Sequence, residues 1–240
     1  QRKRQIAMKR IITTLLFTMF ILANTHSQQN ERCEVMFETN YGNIIFQLYN
    51  ETPLHRDNFI KLVDSHYYDK MLFHRVIKDF MIQCGDPDSK NAQPGEQLGE
   101  KDCGYTIKPE FRIPLLFHKR GALAAAREPD YANPSRESSG SHFYVVWGRV
   151  FDDAQLRKMQ ARLDTIYGDT VKITPVMSDT YKTIGGTPHL DGGYTVFGEV
   201  KEGLDVIDKI QSADTDKNDR PLSDVIIIKA YITKDTRPKR

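Results

Sequence analysis

The sequence predicts a mainly β protein, a closed or strongly curved antiparallel barrel with helices over its open ends. Three observations predict it: short runs rich in β-branched and aromatic residues recur along the chain, turn-rich segments separate them, and two short amphipathic stretches interrupt the series. The 240 residues carry a formal charge of +2. That suits one globular domain, or one domain with an elaboration, and implies no basic face for nucleic acid. Hydrophobic residues make up 39% of the chain, with 12 Phe and 11 Tyr, enough apolar volume for a core.

The first element is not part of the barrel. "MKRIITTLLFTMFILANTHS" has a basic start at Lys9 and Arg10, an apolar run over 11–23 and small polar residues after it. This is the form of a secretory signal peptide over 1–27, with Met8 as the natural start and Thr25 and Ser27 at the small-residue cleavage positions. The apolar run is short for a bilayer span, which needs roughly 20 residues. The expected location is the periplasm or outside the cell; an uncleaved segment would instead anchor the chain in the membrane. The mature domain is expected over 28–240. Export would let Cys33, Cys84 and Cys103 oxidise. Either Cys84 and Cys103 close the Gly- and Pro-containing loop between them, or all the thiols stay unpaired. No two cysteines have CxxC spacing, so neither a zinc site nor a thiol-redox motif is expected.

"CEVMFETNYGNIIFQLYN" reads as two alternating strands joined at a turn holding Asn40, Gly42 and Asn43. Thr52 and Pro53 then form a helix entry, cap followed by first turn, and Phe59, Leu62 and Val63 supply one apolar face. Strand-like runs follow at "LFHRVI", "FMIQC", "GALAAAR", "HFYVVWG", "YTVFGEV" and "DVIIIKAYI", with a second helix at "EGLDVIDKIQS". One segment stands apart. Over 151–182, "DDAQLRKMQARLDTIYG" places Leu156, Met159, Leu163, Ile166 and Tyr167 at helical spacing, which predicts a helical insertion whose apolar stripe packs on the barrel.

With "FHRVIKDFMIQCGD" followed by "GALAAAR", "SGSHFYVV" and "HLDGGYTVFGEVKEGLDVIDKI", the sequence resembles the cyclophilin family of peptidyl-prolyl cis-trans isomerases. The match covers roughly residues 34 to 233, interrupted by the insertion. The resemblance implies a closed eight-stranded antiparallel barrel capped by two helices, with a substrate groove on its outside and no cofactor or metal. It implies partners that are proline-containing unfolded or nascent polypeptides, here exported ones, with neither nucleic acid nor a small-molecule cofactor involved. A membrane contact is expected only if the N-terminal segment is uncleaved.

The chemistry of that activity explains the residues in the first block. The X-Pro bond resists rotation by roughly 18–20 kcal/mol because of its partial double-bond character. Twisting removes the resonance and leaves a lone pair on the prolyl nitrogen, so a fixed cation beside it favours the twisted state over either planar one. By resemblance Arg75 is the catalytic arginine, and Gln83 holds the substrate backbone through its amide. Phe80, Met81, Tyr144 and Leu190 correspond to the proline pocket, and Ala126 and Arg127 to positions that contact substrate backbone. His74 matches a groove-edge histidine, for which a structural hydrogen-bonding role stands equally open. Tyr144 stands where Phe is usual, so its hydroxyl needs a partner, while Phe143 before it is expected to face the interior. Three further groove residues depart from the family. His142 replaces a common Gln, His189 replaces the Trp of well-known eukaryotic members, and Tyr194 replaces His. Loss of the indole donor at His189 implies weak inhibition by cyclosporin. Trp147 follows its strand as a packing or edge residue and does not replace that indole.

Other chemistries find little support. The chain has no GxSxG elbow, no HExxH helix and no phosphate-cradling glycine loop. His118 and His142 lack ligand spacing, and His189 and Asp191 share one turn that the resemblance already accounts for.

Overall fold

The computed structural model describes residues 31–237. The signal segment expected over 1–27 lies outside the described residues. Ten strands follow one another as β1 (Glu34–Thr39), β2 (Gly42–Leu48), β3 (Arg75–Ile77), β4 (Met81–Cys84), β5 (Thr106–Ile107), β6 (Ala122–Ala125), β7 (Ser138–Ser139), β8 (Phe143–Val146), β9 (Val196–Glu202) and β10 (Ile227–Lys234). The helices are α1 (Pro53–Asp64), α2 (Asp153–Tyr167), α3 (Pro175–Thr183) and α4 (Leu204–Gln211).

Eight strands form one antiparallel sheet in the order β10-β1-β2-β9-β6-β8-β4-β3, and the two-residue strands β5 and β7 pair separately. The expectation of a closed barrel needs correction: the sheet curls but its edge strands β3 and β10 share no ladder. The seam is stitched by the segment before β3 and the start of β10, through a Leu72–Ile226 bridge and through Lys70 N–H and Phe73 N–H donating to the carbonyls of Ile227 and Val225. Those bonds satisfy backbone groups that an open edge would leave unpaired.

Strand alternation decides what fills the curl. On β1 the residues Val35, Phe37 and Thr39 are buried while their neighbours are half-buried. Phe37 meets Phe46 edge-on at 5.2 Å and Phe143 at 5.8 Å between ring centroids. Helix α1 lays Phe59 across one end, 5.3 Å from Phe143, and α4 contributes Val206, Ile207 and Ile210 to the same core. Phe143 therefore faces inward, and Tyr144 beside it belongs to a second apolar cluster on the outer face with Met81, Ala122, Ala124 and Val146.

Thr52 does not cap α1 through its side chain. The Glu110 carboxylate takes that place, accepting from Leu54 N–H at 3.2 Å and His55 N–H at 3.0 Å. A carboxylate there also faces the positive end of the helix dipole. All three cysteines are free thiols, with Cys33 and Cys84 buried.

The insertion holds two helices, where the apolar spacing predicted one. Asp152 opens α2 with a capping box and Thr174 caps α3 ahead of Pro175. Leu156 and Leu163 are buried as expected, but Ile166 is exposed. Met177 and Tyr181 of α3 pack with Phe151 and Leu156 in a satellite core that also receives Phe117 of the main body. Both ends of the insertion meet in a narrow neck, where Arg149 and Gly186 exchange backbone hydrogen bonds at 3.0 and 3.2 Å. Gly186 has φ +154, and a Cβ there would collide with the His118 carbonyl and the Tyr181 ring.

Candidate active site

The site is a row of residues crossing four strands on the outer face. Arg75 of β3 lies opposite Gln83 of β4, Gln83 lies opposite Tyr144 of β8, and Tyr144 lies opposite Ala124 of β6. Because side chains directly opposite one another share a face, the register alone brings the guanidinium, the amide and the phenol side by side. Met81, two residues before Gln83, joins the same face. Phe80 sits in the turn before β4, held by its carbonyl, which accepts from Trp147 N–H at 2.9 Å and Gly148 N–H at 3.0 Å. Trp147 itself lies under the Arg120 guanidinium, 4.3 Å from it, as a packing residue.

These side chains surround an open cavity of about 170 Å³. It brings together Arg75, Phe80, Met81, Gln83, Ala126, Arg127, Tyr144, Leu190 and Tyr194, which is every residue singled out from the sequence except His74, His142 and His189. The floor is apolar and the rim is polar. Arg75 is partly exposed, and its Nε donates to Asp219 Oδ2 at 3.3 Å. That exposed pair contributes little stability but holds the guanidinium plane, leaving the terminal nitrogens without a partner among the described residues. The Gln83 amide likewise has no intramolecular hydrogen bond among the described residues.

The remaining groups are more constrained than the sequence suggested. Arg127 is not a solvated loop residue: it donates to Gly193 O at 2.6 Å, pairs with Asp130 at 2.6 Å and covers the Tyr194 ring at 4.6 Å. Ala126 uses its N–H and its carbonyl within the protein, to His142 O and from Ser139 N–H. His142 lines a neighbouring cavity of about 320 Å³ with Glu100, Asp102, Glu128 and Glu137, and its Nε2 meets the Lys101 carbonyl. His74 neither lines the groove nor forms a hydrogen bond. It is 4% exposed, both ring nitrogens lack partners, and burial next to His142 lowers its pKa to about 3. His189 stacks on Phe80 at 5.4 Å, on the side away from the cavity, and burial lowers its pKa to about 4.

The partner for the Tyr144 hydroxyl is His118 Nε2 at 2.9 Å. Burial pushes the Tyr144 pKa well up, so the phenol stays protonated and shares a hydrogen bond with the imidazole. On the other side of the ring His118 Nδ1 donates to Asp191 Oδ1 at 2.8 Å, and His118 N–H donates to the same oxygen at 2.9 Å. Tyr181 of α3 donates to Asp191 Oδ2 at 2.6 Å. The chain Tyr144–His118–Asp191–Tyr181 is buried throughout and joins the pocket floor to the insertion. Sequence reasoning missed it because the members are scattered and share no spacing; the unsatisfied Tyr144 hydroxyl was the one available signal. No group of three or more potential metal-ligating side chains stands together among the described residues.

Residues 34–232 match the family described as cyclophilin type peptidyl-prolyl cis-trans isomerase/CLD. A Staphylococcus aureus protein described as a peptidyl-prolyl cis-trans isomerase is 33% identical over 205 residues, 85% of this chain and 93% of its own. Peptidyl-prolyl cis-trans isomerase-like 1 of Neurospora crassa is 32% identical over 203 residues, covering 84% of this chain and 95% of that one. The crystal structure of a Cryptosporidium parvum cyclophilin type isomerase superposes with a TM-score of 0.60 at 23% identity, over 85% of this chain and 99% of that one. The same protein in the presence of the dipeptide Ala-Pro gives 0.57 at 24% identity, over 84% and 99% of the two chains.

Proposed function

The chain belongs to the cyclophilin-type peptidyl-prolyl cis-trans isomerase family, and from that premise we propose that Arg75 lowers the rotation barrier of X-Pro bonds in exported polypeptides by electrostatic means. The enzyme is a peptidyl-prolyl cis-trans isomerase. The observation that carries the mechanism is the Arg75–Gln83 cross-strand pair above an apolar cavity, each with donors that have no partner of their own among the described residues.

In this mechanism the prolyl ring is buried against Phe80, Met81, Tyr144 and Leu190, which fixes one side of the bond. The Gln83 amide binds the neighbouring backbone and limits its freedom. As the amide twists, the prolyl nitrogen gains acceptor character, and a terminal nitrogen of Arg75 donates to it. That hydrogen bond is charge-assisted and strongest in the twisted state, so it lowers the barrier rather than merely tightening binding. No proton transfer or covalent intermediate is needed. The Ala-Pro dipeptide present with the Cryptosporidium protein supports the substrate class.

The sequence of the N-terminal segment supports action in the periplasm or outside the cell, where the enzyme assists folding of exported chains; membrane anchoring through that segment is the alternative. Two measurements test the function together. Purified protein should accelerate cis-to-trans isomerisation of a short X-Pro peptide at substoichiometric concentration, whereas suppression of client aggregation without turnover would make the groove a binding module. Cell fractionation with N-terminal sequencing tests export: recovery of an intact N-terminus in the cytoplasm would refute it.

A further inference from the structure

A second cavity opens on the far side of Phe80, between that residue's turn and the insertion, with a volume of about 420 Å³. Its walls bring together Lys78, Arg149 and Arg162, none of which has an ion-pair partner among the described residues. Asp79 is the one carboxylate on the lining. Elsewhere on the insertion Lys172 pairs with Asp164 and Asp169, and Lys182 with Asp153 and Asp179, while Arg157 and Lys158, outside the cavity lining, also lack an ion-pair partner among the described residues. The cavity thus gathers three unpaired cations on one lining. Phe80, Phe151 and Met159 supply apolar wall, the His189 ring completes it, and Thr187 lines it with a buried hydroxyl that has no hydrogen-bond partner among the described residues.

We propose that this cavity is a substrate subsite that takes an acidic side chain of the client polypeptide close to the proline being isomerised. The proposal rests on the isomerase reading of the neighbouring pocket and adds a preference to it. Continuity supplies the geometry, because Phe80 walls both cavities and a bound chain leaving the proline pocket on that side passes over it. An extended chain advances about 3.3 Å per residue, so the position served lies within a few residues of the proline, on the Phe80 side. Charge complementarity supplies the chemistry, since a carboxylate can be met by guanidinium groups in fork geometry and by the Lys78 ammonium. The other end of the groove is lined by Glu100, Asp102, Glu128 and Glu137 against one cation, Arg127, which is already paired with Asp130, so an acidic residue on the opposite side of the proline meets mainly like charge. The preference is therefore one-sided. The insertion, by contributing Met159 and Arg162, makes the subsite.

The test uses the full protein and a series of neutral heptapeptides centred on Ala-Pro, with Glu or its isostere Gln placed in turn at each position up to three residues either side. Isomerisation is followed by exchange spectroscopy at low and physiological salt. At one position on one side, Glu should exceed Gln in kcat/KM by about three- to tenfold at low salt, the range expected for one or two partly exposed ion pairs, and the gain should shrink as salt rises. An Arg149→Gln/Arg162→Gln variant should lose the Glu gain and keep its rate on the all-neutral peptide, and Arg162→Glu should shift the preference toward Lys at that position. Less than twofold discrimination at every position, or a Glu gain that survives in the double variant, would overturn the subsite. Failure of the wild type on the all-neutral peptide would instead strike the isomerase reading, so the two failures are distinguishable.

Discussion

Replacing Asp191 by alanine should be among the most damaging single changes outside the aromatic core. Its carboxylate is 0% exposed and accepts three hydrogen bonds, from His118 N–H, His118 Nδ1 and Tyr181 Oη, in residues that are themselves 1% and 0% exposed. An unmade buried donor costs roughly 1–3 kcal/mol, and breaking a buried pair from one side about 3–5 kcal/mol, so with partial relaxation the loss should be about 4 kcal/mol. For a domain of this size that corresponds to a fall of roughly 8–16 °C in Tm. Asp191→Asn keeps the volume and one acceptor for His118, and should cost about half as much. The chain has a single tryptophan. Trp147 is half-buried beside Arg120, and its fluorescence in urea reports the transition without a label. A loss below about 1 kcal/mol in Asp191→Ala, at unchanged m-value, would refute the assignment of these hydrogen bonds as a buried network.

Other outcomes follow from the same geometry. His74 and His189 have ordinary values near 6.5 that burial lowers to about 3 and about 4, so between those values and 6.5 the unfolded chain binds more protons than the folded one. Stability should therefore fall as pH drops below about 6.5, with His74 contributing at most about 1.4 kcal/mol per pH unit down to about 3. Asp86, Arg75 and Arg220 also act on His74, alongside His142. The slope measured by urea titration should flatten in His74→Leu, and an unchanged slope would remove His74 from the explanation. Gly186→Ala should destabilise by about 2–3 kcal/mol or more through the collision at the insertion neck, and thermal melting at wild-type temperature would argue against that close approach. Cyclosporin should inhibit weakly, with His189 in place of an indole and stacked on the side of Phe80 away from the cavity; a nanomolar inhibition constant for the wild type would contradict this.

All eight strands of the main sheet were legible because each alternates or runs apolar between turn residues, and Phe143 facing in with Tyr144 facing out follows from that alternation alone. The second insertion helix was also written in the chain. Thr174 and Pro175 repeat the Thr52–Pro53 entry, with Met177 and Tyr181 at helical spacing, but the longer stripe of α2 drew the reading. What the sequence left hidden involves partners far apart in the chain. Glu110 capping α1, Asp219 holding Arg75, and the Asp191 network each depend on loops whose paths no local pattern dictates. The motif resemblance named residues that the structure gathers around one cavity, yet it set His74 at the groove edge, where the structure buries it without a hydrogen bond.

The most direct test of the central claim is kcat/KM for a neutral X-Pro peptide in the wild type, Arg75→Lys and Arg75→Ala, each confirmed folded by the Trp147 signal. Removing a donor that acts mainly in the transition state typically costs about 10²–10³-fold, so Arg75→Ala should lose about that much, with lysine recovering part of it. An Arg75→Ala enzyme within a few-fold of the wild type would contradict electrostatic catalysis by the guanidinium.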